Sequence, residues 1–548
     1  MSVRAVPPAL QRVLLAGLGL LLAPAAPAAD PAAQPGAPAA SFPAMTFPDG
    51  RISLIEAIRL TLLHDPNLKI SEQQAVAAKG TAQSASGQFD PLLDANASYS
   101  QNKTALTASQ VPQPPVPGYP NESDAKSSAL GLSLAFPFRD GVTVGAVGNG
   151  GWSSNVLSGG DPEIAAAISG PDMYNASVGF TLDAALLRGR GSDATGAAER
   201  SARINWEASE LSYRHAASGS VLTTISAYWG LVAAQEQLEI ARKALGLSTK
   251  TVEVSRALIS ADEIPRAELS RVLASQATDQ SQVAAAERAL FEARVALALA
   301  IGLSVGAEAN APLAADAFPP PPEKPALEAL RPADLSGVAL GRRLDRKAAA
   351  KLKESGGVLL TSARTGLRPK LDFHGQVTTG TVAESSLSRA GSGWKFPLYA
   401  GNLAFEAPFG NNAARGLVVQ KEAALSQQTI NLEDLERQIK ANVVQLCRSL
   451  GEAADQVARA QEATVLYDKT VSDENEKFRS GQSALIDTIT TRQLGTSADL
   501  AYAVSRQELA TLLAQLRFET GTLVDENGGK NVVRKETLQT LPRADAVK

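Results

Sequence analysis

One cysteine, three histidines and almost no net charge each remove a class of function from this 548-residue chain. Cys447 has no partner for an internal disulfide. It lies among Val443, Val444, Leu446 and Leu450, where a thiol serves as a small apolar packing group. His64, His215 and His374 are far apart, and none has a Cys or His at ligand spacing, so no metal site or cofactor is expected. With 52 basic against 56 acidic residues there is no electrostatic footprint for nucleic acid. Gly-x-Gly patterns such as Gly189 to Gly191 lack the strand–helix setting of a phosphate loop. No catalytic constellation is present, and the chain does not read as an enzyme. Runs of eighteen apolar residues are missing too, so no transmembrane helix is expected. Proline is absent between Pro171 and Pro265, and nothing in that stretch forces a helix to break.

That proline-free stretch carries a seven-residue rhythm. Leu231, Leu238, Leu245, Val252 and Ile259 fall seven apart, and four positions earlier each time stand Ala227, Ala234, Ala241, Ser248 and Ser255. A large track beside a small one is the seam of helices packed along their length. The pattern predicts a helix from about Ala197 to Ile259, roughly 95 Å long at 1.5 Å per residue. The interruption Ala261 to Pro265 ends it, and Leu269, Val283, Leu290 and Leu297 give a return helix from about Arg266 to Ile301. Rods of this length suit a tower, a spacer or a tube.

The N-terminus sets the compartment. Arg4 and Arg12 lead into the short apolar run Val13 to Ala23, followed by Ala25-Ala26-Pro27-Ala28-Ala29. Residues 1–29 are expected to be a secretory signal peptide, and 30–50 an Ala/Pro-rich leader. An exported chain without a transmembrane helix enters a membrane only as a β-barrel.

Strand-period alternation supports that route. Leu93, Ala95, Ala97 and Tyr99 alternate with polar neighbours; so do Leu130, Leu132, Leu134, Phe136 and Phe138, and again Tyr174, Ala176, Val178, Phe180 and Leu182. Arg139-Asp140-Gly141 makes a tight turn into a weaker strand, Val142 to Trp152; the other reading of that segment is a surface loop. A soluble half-buried sheet shows the same alternation as a barrel wall. The export signal and the adjoining rods favour the membrane. Tyr99, Trp152, Tyr174, Trp394 and Tyr399 are candidates for the membrane interfaces.

The plan then repeats. Repeat 1 (53–302) holds a helix, about four strands and a long helical hairpin; a Pro-rich connector (303–333) leads to repeat 2 (334–523), with a helix, two strands and a second hairpin. In repeat 2, Leu371, Phe373, Gly375 and Val377 begin a strand, the strand near Trp394 to Ala407 slips parity at Ala400-Gly401 as if bulged, and Leu425, Leu432, Ile439 and Leu446 form a second seam. Residues 524–548 read as a flexible tail. Six strands are too few for a single-chain membrane barrel, which starts at eight, so copies must pool them.

The layout resembles the TolC-like outer-membrane efflux family over nearly the whole mature chain. Leu54-Ile55-Glu56-Ala57-Ile58 with Asp65-Pro66-Asn67-Leu68, Leu187 to Gly191, Ala407 to Asn411 and Lys477 to Gly481 carry the likeness. Each is short, but their order and spacing are specific. The resemblance implies an α+β membrane protein: a homotrimeric transmembrane β-barrel in the outer membrane, continued by a long periplasmic α-helical barrel. It implies an exit duct of a tripartite efflux or type I secretion system, docked to an inner-membrane transporter through a periplasmic adaptor protein. Well-known members have two strands per repeat, twelve per trimer; the extra hairpin here makes eighteen.

The resemblance also implies a gate at the periplasmic tip. Asp487, six residues after Gly481, matches the family's acidic gate position, and Glu268 stands six residues after Asp262 in the first repeat. The family's second acid is Thr490 here, and the Arg sometimes found two residues after the Gly is Ser483. The plainer reading of Asp487 is a solvated surface charge, and of Glu268 a surface ion pair with Arg266 or Arg271. Asp262, Ile264, Arg266, Arg479, Gly481 and Ser483 are the expected adaptor-contact residues. The rival architecture is a periplasm-spanning tether or adhesin with no conducting lumen.

Overall fold

The computed structural model describes residue 47 and residues 50–304, 312–391 and 397–542, apart from 108, 115, 385, 528 and 529. The expected signal peptide, most of the leader and Trp394 lie outside the described residues. The first described helices are α1 (Leu54–His64) and α2 (Pro66–Ser86). The Ser53 hydroxyl accepts the Glu56 N–H at 3.3 Å, and the Asp65 carboxylate accepts the Asn67 N–H at 2.9 Å, so each helix starts on a side-chain cap. Pro66 at the first position of α2 gives up an N–H that has no helical partner anyway.

Six strands follow in two groups. β1 (Leu92–Ala105), β2 (Glu122–Pro137), β3 (Val142–Ser158) and β4 (Met173–Ala185) come before the first long helix. They form one antiparallel sheet with two later strands, β5 (Lys370–Ala383) and β6 (Pro397–Glu406), in the order β1-β2-β3-β4-β5-β6. Val142 to Trp152 is therefore part of a 17-residue strand and not a loop. Gly141 closes its turn at φ +83°, where a Cβ would lie 2.3 Å from the Gly189 carbonyl oxygen, so only glycine fits.

Registry sorts the residues by face. Leu93, Leu134, Ala146, Phe180, Val377 and Tyr399 are successive cross-strand partners in one apolar row. Asn96, Gly131, Asn149, Ser177 and Gly380 form a row on the opposite, small and polar face. Tyr99, Trp152 and Tyr174 share a third row, with Ser128 between the first two, toward one rim of the apolar face. Phe136 lies eight residues from that row along β2, or about 27 Å at 3.4 Å per residue.

The expected bulge at Ala400-Gly401 does not form. Pairing of β5 with β6 runs without a slip from Thr379↔Pro397 to Lys370↔Glu406. Gly375 and Gly401 stand opposite each other, and the Phe373 ring lies against both, filling the space their missing side chains leave. Two facing glycines weaken the alternation without shifting the register.

The rods leave the same end of the sheet. α3 (Ala197–Ser260) has 64 residues, about 96 Å, and α4 (Ala267–Ala300) returns along it. α5 (Pro332–Arg342) and α6 (Leu344–Thr365) lead into β5, and α7 (Asn412–Arg479) with α8 (Leu485–Glu519) forms the second hairpin. Leu231, Leu238 and Val252 are buried on α3, as are Ala234, Ala241, Ser248 and Ser255, so the large and small tracks are its packed face. Side by side near the sheet, α2 packs on α3, α3 on α6 and α6 on α7. The Ser201 and Ser355 hydroxyls, 2.8 Å apart and buried, mark how closely α3 and α6 approach.

The largest core sits midway along the rods. Ile52, Ile58, Ile225, Tyr228, Leu231, Leu297, Ile301 and Leu523 pack there. Tyr228 donates to the Ile52 carbonyl at 3.0 Å and accepts from the Ala315 and Asp316 N–H groups at 3.2 and 2.9 Å. Burial pushes its phenol well above the ordinary range. With Gln235, whose amide pairs with the Ala314 N–H and carbonyl at 2.8 and 3.5 Å, this hydroxyl ties the Pro-rich connector to the rod. The segment expected to be a flexible tail is docked as far as residue 542: Asp525–Asn527 pairs with Lys530–Val532, Leu538 is buried in the central core, and Arg517 holds the Thr540 and Leu541 carbonyls. Its composition hides this because a few scattered apolar residues in a polar stretch, Val533, Leu538 and Leu541, supply the anchors. Tyr228→Phe removes the buried hydroxyl that serves the Ile52 carbonyl and the Asp316 N–H, and is expected to cost about 1–3 kcal/mol. Limited proteolysis should then cut the connector near residues 312–331 faster than in the parent protein.

Candidate functional site at the helical tips

Both hairpins turn in the same way. At the end of α3 the Glu263 N–H reaches back to the Leu258 carbonyl at 2.9 Å, around Asp262 at φ 54°. At the end of α7 the Gln482 N–H reaches the Lys477 carbonyl at 2.8 Å, around Gly481 at φ +71°. Each is a helix end with one residue in the left-handed region, which glycine adopts freely and aspartate tolerates. Asp262 and Gly481 thus occupy matching backbone positions, and Glu268 and Asp487 each follow six residues later.

The two acids meet different surroundings. Asp487 is exposed in the first turn of α8, where the N-terminal end of the helix dipole favours a negative charge. Thr490, one turn on, is exposed on the same side, while Thr488 and Ile489 between them are buried. Glu268 is half-buried and pairs with Arg271 at 3.1 Å. Asp262, Arg266, Arg479 and Gly481 are exposed at the turns, in reach of another molecule. Ser483 instead donates to the Glu474 carboxylate, and this hydrogen bond holds that acid below its usual range. Ile264 turns inward.

Inward lies a shared core. Val252 of α3, Val272 of α4, and Leu485 and Ile489 of α8 are buried together, with Ile264 and Phe478 packed against them. One layer further up, Arg492 crosses from α8 to the other hairpin. Its guanidinium donates to the Thr251 and Ser275 hydroxyls at 3.0 and 3.3 Å and lies 3.8 Å from the Asp279 carboxylate. The Arg492 and Asp279 side chains are only 8% and 7% exposed. Burial pulls the Arg492 guanidinium below its usual range, and the Asp279 charge offsets this only in part.

Sequence reasoning missed this pair. Its signal was present: Arg492 follows Leu485 and Ile489 on the packed face of α8, and Asp279 follows Val272 and Ser275 on that of α4. A charge at a core-facing position is the mark to search for. Removing one partner of such a buried pair costs about 3–5 kcal/mol, whereas replacing both by apolar groups is close to neutral. Chemical unfolding followed by circular dichroism should show Asp279→Leu strongly destabilised, and the double variant Arg492→Leu/Asp279→Leu restored to within about 1 kcal/mol of the parent.

Comparison with known proteins fixes the fold. No family model matches the sequence, and no curated protein matches it. Solved structures do. The Campylobacter jejuni CmeC outer membrane channel is similar with a TM-score of 0.63 at 16% identity, over 90% of each chain. The outer membrane protein VceC of Vibrio cholerae is similar with a TM-score of 0.59 at 15% identity, over 85% of this chain and 96% of that one. The open state of the Neisseria gonorrhoeae MtrE outer membrane channel gives 0.57 at 15% identity, over 85% and 88%. The chain has the fold of the TolC-like outer-membrane channels.

Proposed function

We propose that three copies of this chain form an outer-membrane exit duct of a tripartite efflux or type I secretion system, conducting passively and gated at the periplasmic helical tips. One observation carries the reading: the chain is a slab with two raw edges. β1 and β6, the outer strands of the sheet, are exposed along their whole length. The helices that continue them, α2 and α7, are the outer members of the helix row and expose Ile70 and Val76 on one side, Val419 and Ile430 on the other. Six strands alternating in direction leave β1 and β6 antiparallel, so the edge of one copy is suited to pair with the opposite edge of the next. An unpaired edge in lipid costs several kcal/mol per exposed peptide group, so closure by copies is the economical state.

The apolar face then meets lipid, with the Tyr99–Trp152–Tyr174 row at one interface, and the small polar face lines water. Among the described residues no helix is long and apolar enough to cross a membrane. The rods extend into the periplasm, and the tips are the narrowest point and the contact for a periplasmic adaptor that links the duct to an inner-membrane transporter. Asp487, exposed on α8, is the gate acid, repeated around the axis as a ring that favours cations, with Thr490 beside it. Glu268, engaged by Arg271, keeps the role of a surface ion pair. Asp262, Arg266, Arg479 and Gly481 are the outward contacts for the adaptor.

A tether requires rods but no two-faced sheet with a small polar face, and so fits less of the chain. Purified protein added to planar bilayers is expected to give discrete single-channel currents; a tether passes none. Asp487→Asn should then weaken block by multivalent cations added on the tip side, by about tenfold for a lost favourable charge contact of ~1.4 kcal/mol. Block that does not change removes Asp487 from the gate.

A further inference from the structure

We propose that the β2–β3 hairpin is an insert in the barrel wall that widens the outer-membrane section of the duct, so that it admits bulkier hydrated cargo than a wall built of the other four strands alone. This rests on the trimeric channel reading above. In the second half of the chain the order is helix, two strands, long helical hairpin: α6, β5, β6, α7. In the first half the same order holds for α2, β1, β4 and α3, but a second hairpin stands between β1 and β4. That hairpin does not lie on the surface. It is zipped into the sheet on both sides, from Leu92↔Ala135 to Ala105↔Glu122 with β1 and from Val142↔Ala184 to Ser153↔Met173 with β4, without a slip. It separates strands that would otherwise pair as β5 pairs with β6.

Barrel diameter grows roughly linearly with strand number, so six strands per copy in place of four widen the wall about 1.5-fold at equal tilt. The inserted strands do not refill the space. To the polar face they present Gly131, Ser133, Gly145, Asn149, Gly151 and Ser153, and no charged side chain. Their charges, Glu122, Asp124 and Lys126, lie on the opposite face at the far rim, where Lys126 and Lys103 reach Asp124 at 3.5 and 3.9 Å. At 16 and 17 residues β2 and β3 are also the longest strands of the sheet, about 54 Å or more at 3.4 Å per residue. They reach beyond an apolar band about 25 Å tall.

Two experiments on the full-length protein test this. Asn96 and Ser177 lie in one lumen-facing row with β2 and β3 between them, about 14 Å apart at three strand spacings. Oxidation of Asn96→Cys/Gly131→Cys, on adjacent strands, is expected to give an intramolecular disulfide, and Asn96→Cys/Ser177→Cys none. A disulfide in the second pair, or none in the first, would show β1 beside β4 and overturn the insertion. Deleting residues 106–158 leaves β1 and β4 joined by the loop 159–172. The deletion variant is expected to assemble and conduct, while the largest neutral polymer able to enter from the extracellular side falls in radius by about a third. An assembled variant with an unchanged size limit overturns the widening; if it fails to assemble, the hairpin is a required staple and not an insert. Absence of current in the parent protein would count against the channel reading instead, and leaves the cysteine result standing.

Discussion

Lipid supplies no hydrogen-bond partner to a peptide group, and that fact governs the architecture. A sheet that is apolar on one face and ends in two bare strands has no stable resting place as a single copy in a bilayer. β1 and β6 are such strands, and the helices attached to them, α2 and α7, are likewise the outermost of their row. The coincidence matters. In the proposed duct the closing contact between copies runs from strand edge to helix edge, so one association event covers both the membrane and the periplasmic surfaces.

Much of this was legible in the sequence because periodicity reports environment directly. The sevenfold track from Leu231 to Ile259 could only be a long packed rod, and α3 ends one residue beyond it. Two-residue alternation gave the sheet its six strands. Where a local signal is diluted, the reading fails. Gly375 and Gly401 break the alternation of β5 and β6, yet the Phe373 ring restores the packing from a neighbouring position, a compensation no single strand displays. The docked tail fails to announce itself for a related reason: its hold comes from the scattered Val533, Leu538 and Leu541, and from carbonyls that Arg517 reaches from another helix.

The tip shows the same division. Its turns were legible, because Asp262 and Gly481 punctuate the heptads, and so were the exposed acids that follow them. Its interior was not. Burial of Arg492 depends on two hairpins more than two hundred residues apart in sequence coming together, which spacing within either helix cannot encode.

That interior decides how well the exposed residues are placed. The apolar layer of Val252, Val272, Leu485 and Ile489 holds the hairpins together, but hydrophobic contact is non-directional and tolerates a slide along the rods. The layer above it does not. Arg492 meets Thr251, Ser275 and Asp279 on two different helices at once. A shift of one turn, about 5.4 Å, would part the charges inside a buried layer, at a cost on the order of 3–5 kcal/mol, while leaving the apolar contacts nearly unchanged. The polar layer therefore selects one alignment among several that the apolar layer would accept. Asp487 lies on α8 only five residues from Arg492, so the same contact that sets the hairpin register also sets the height at which that acid stands along the rod.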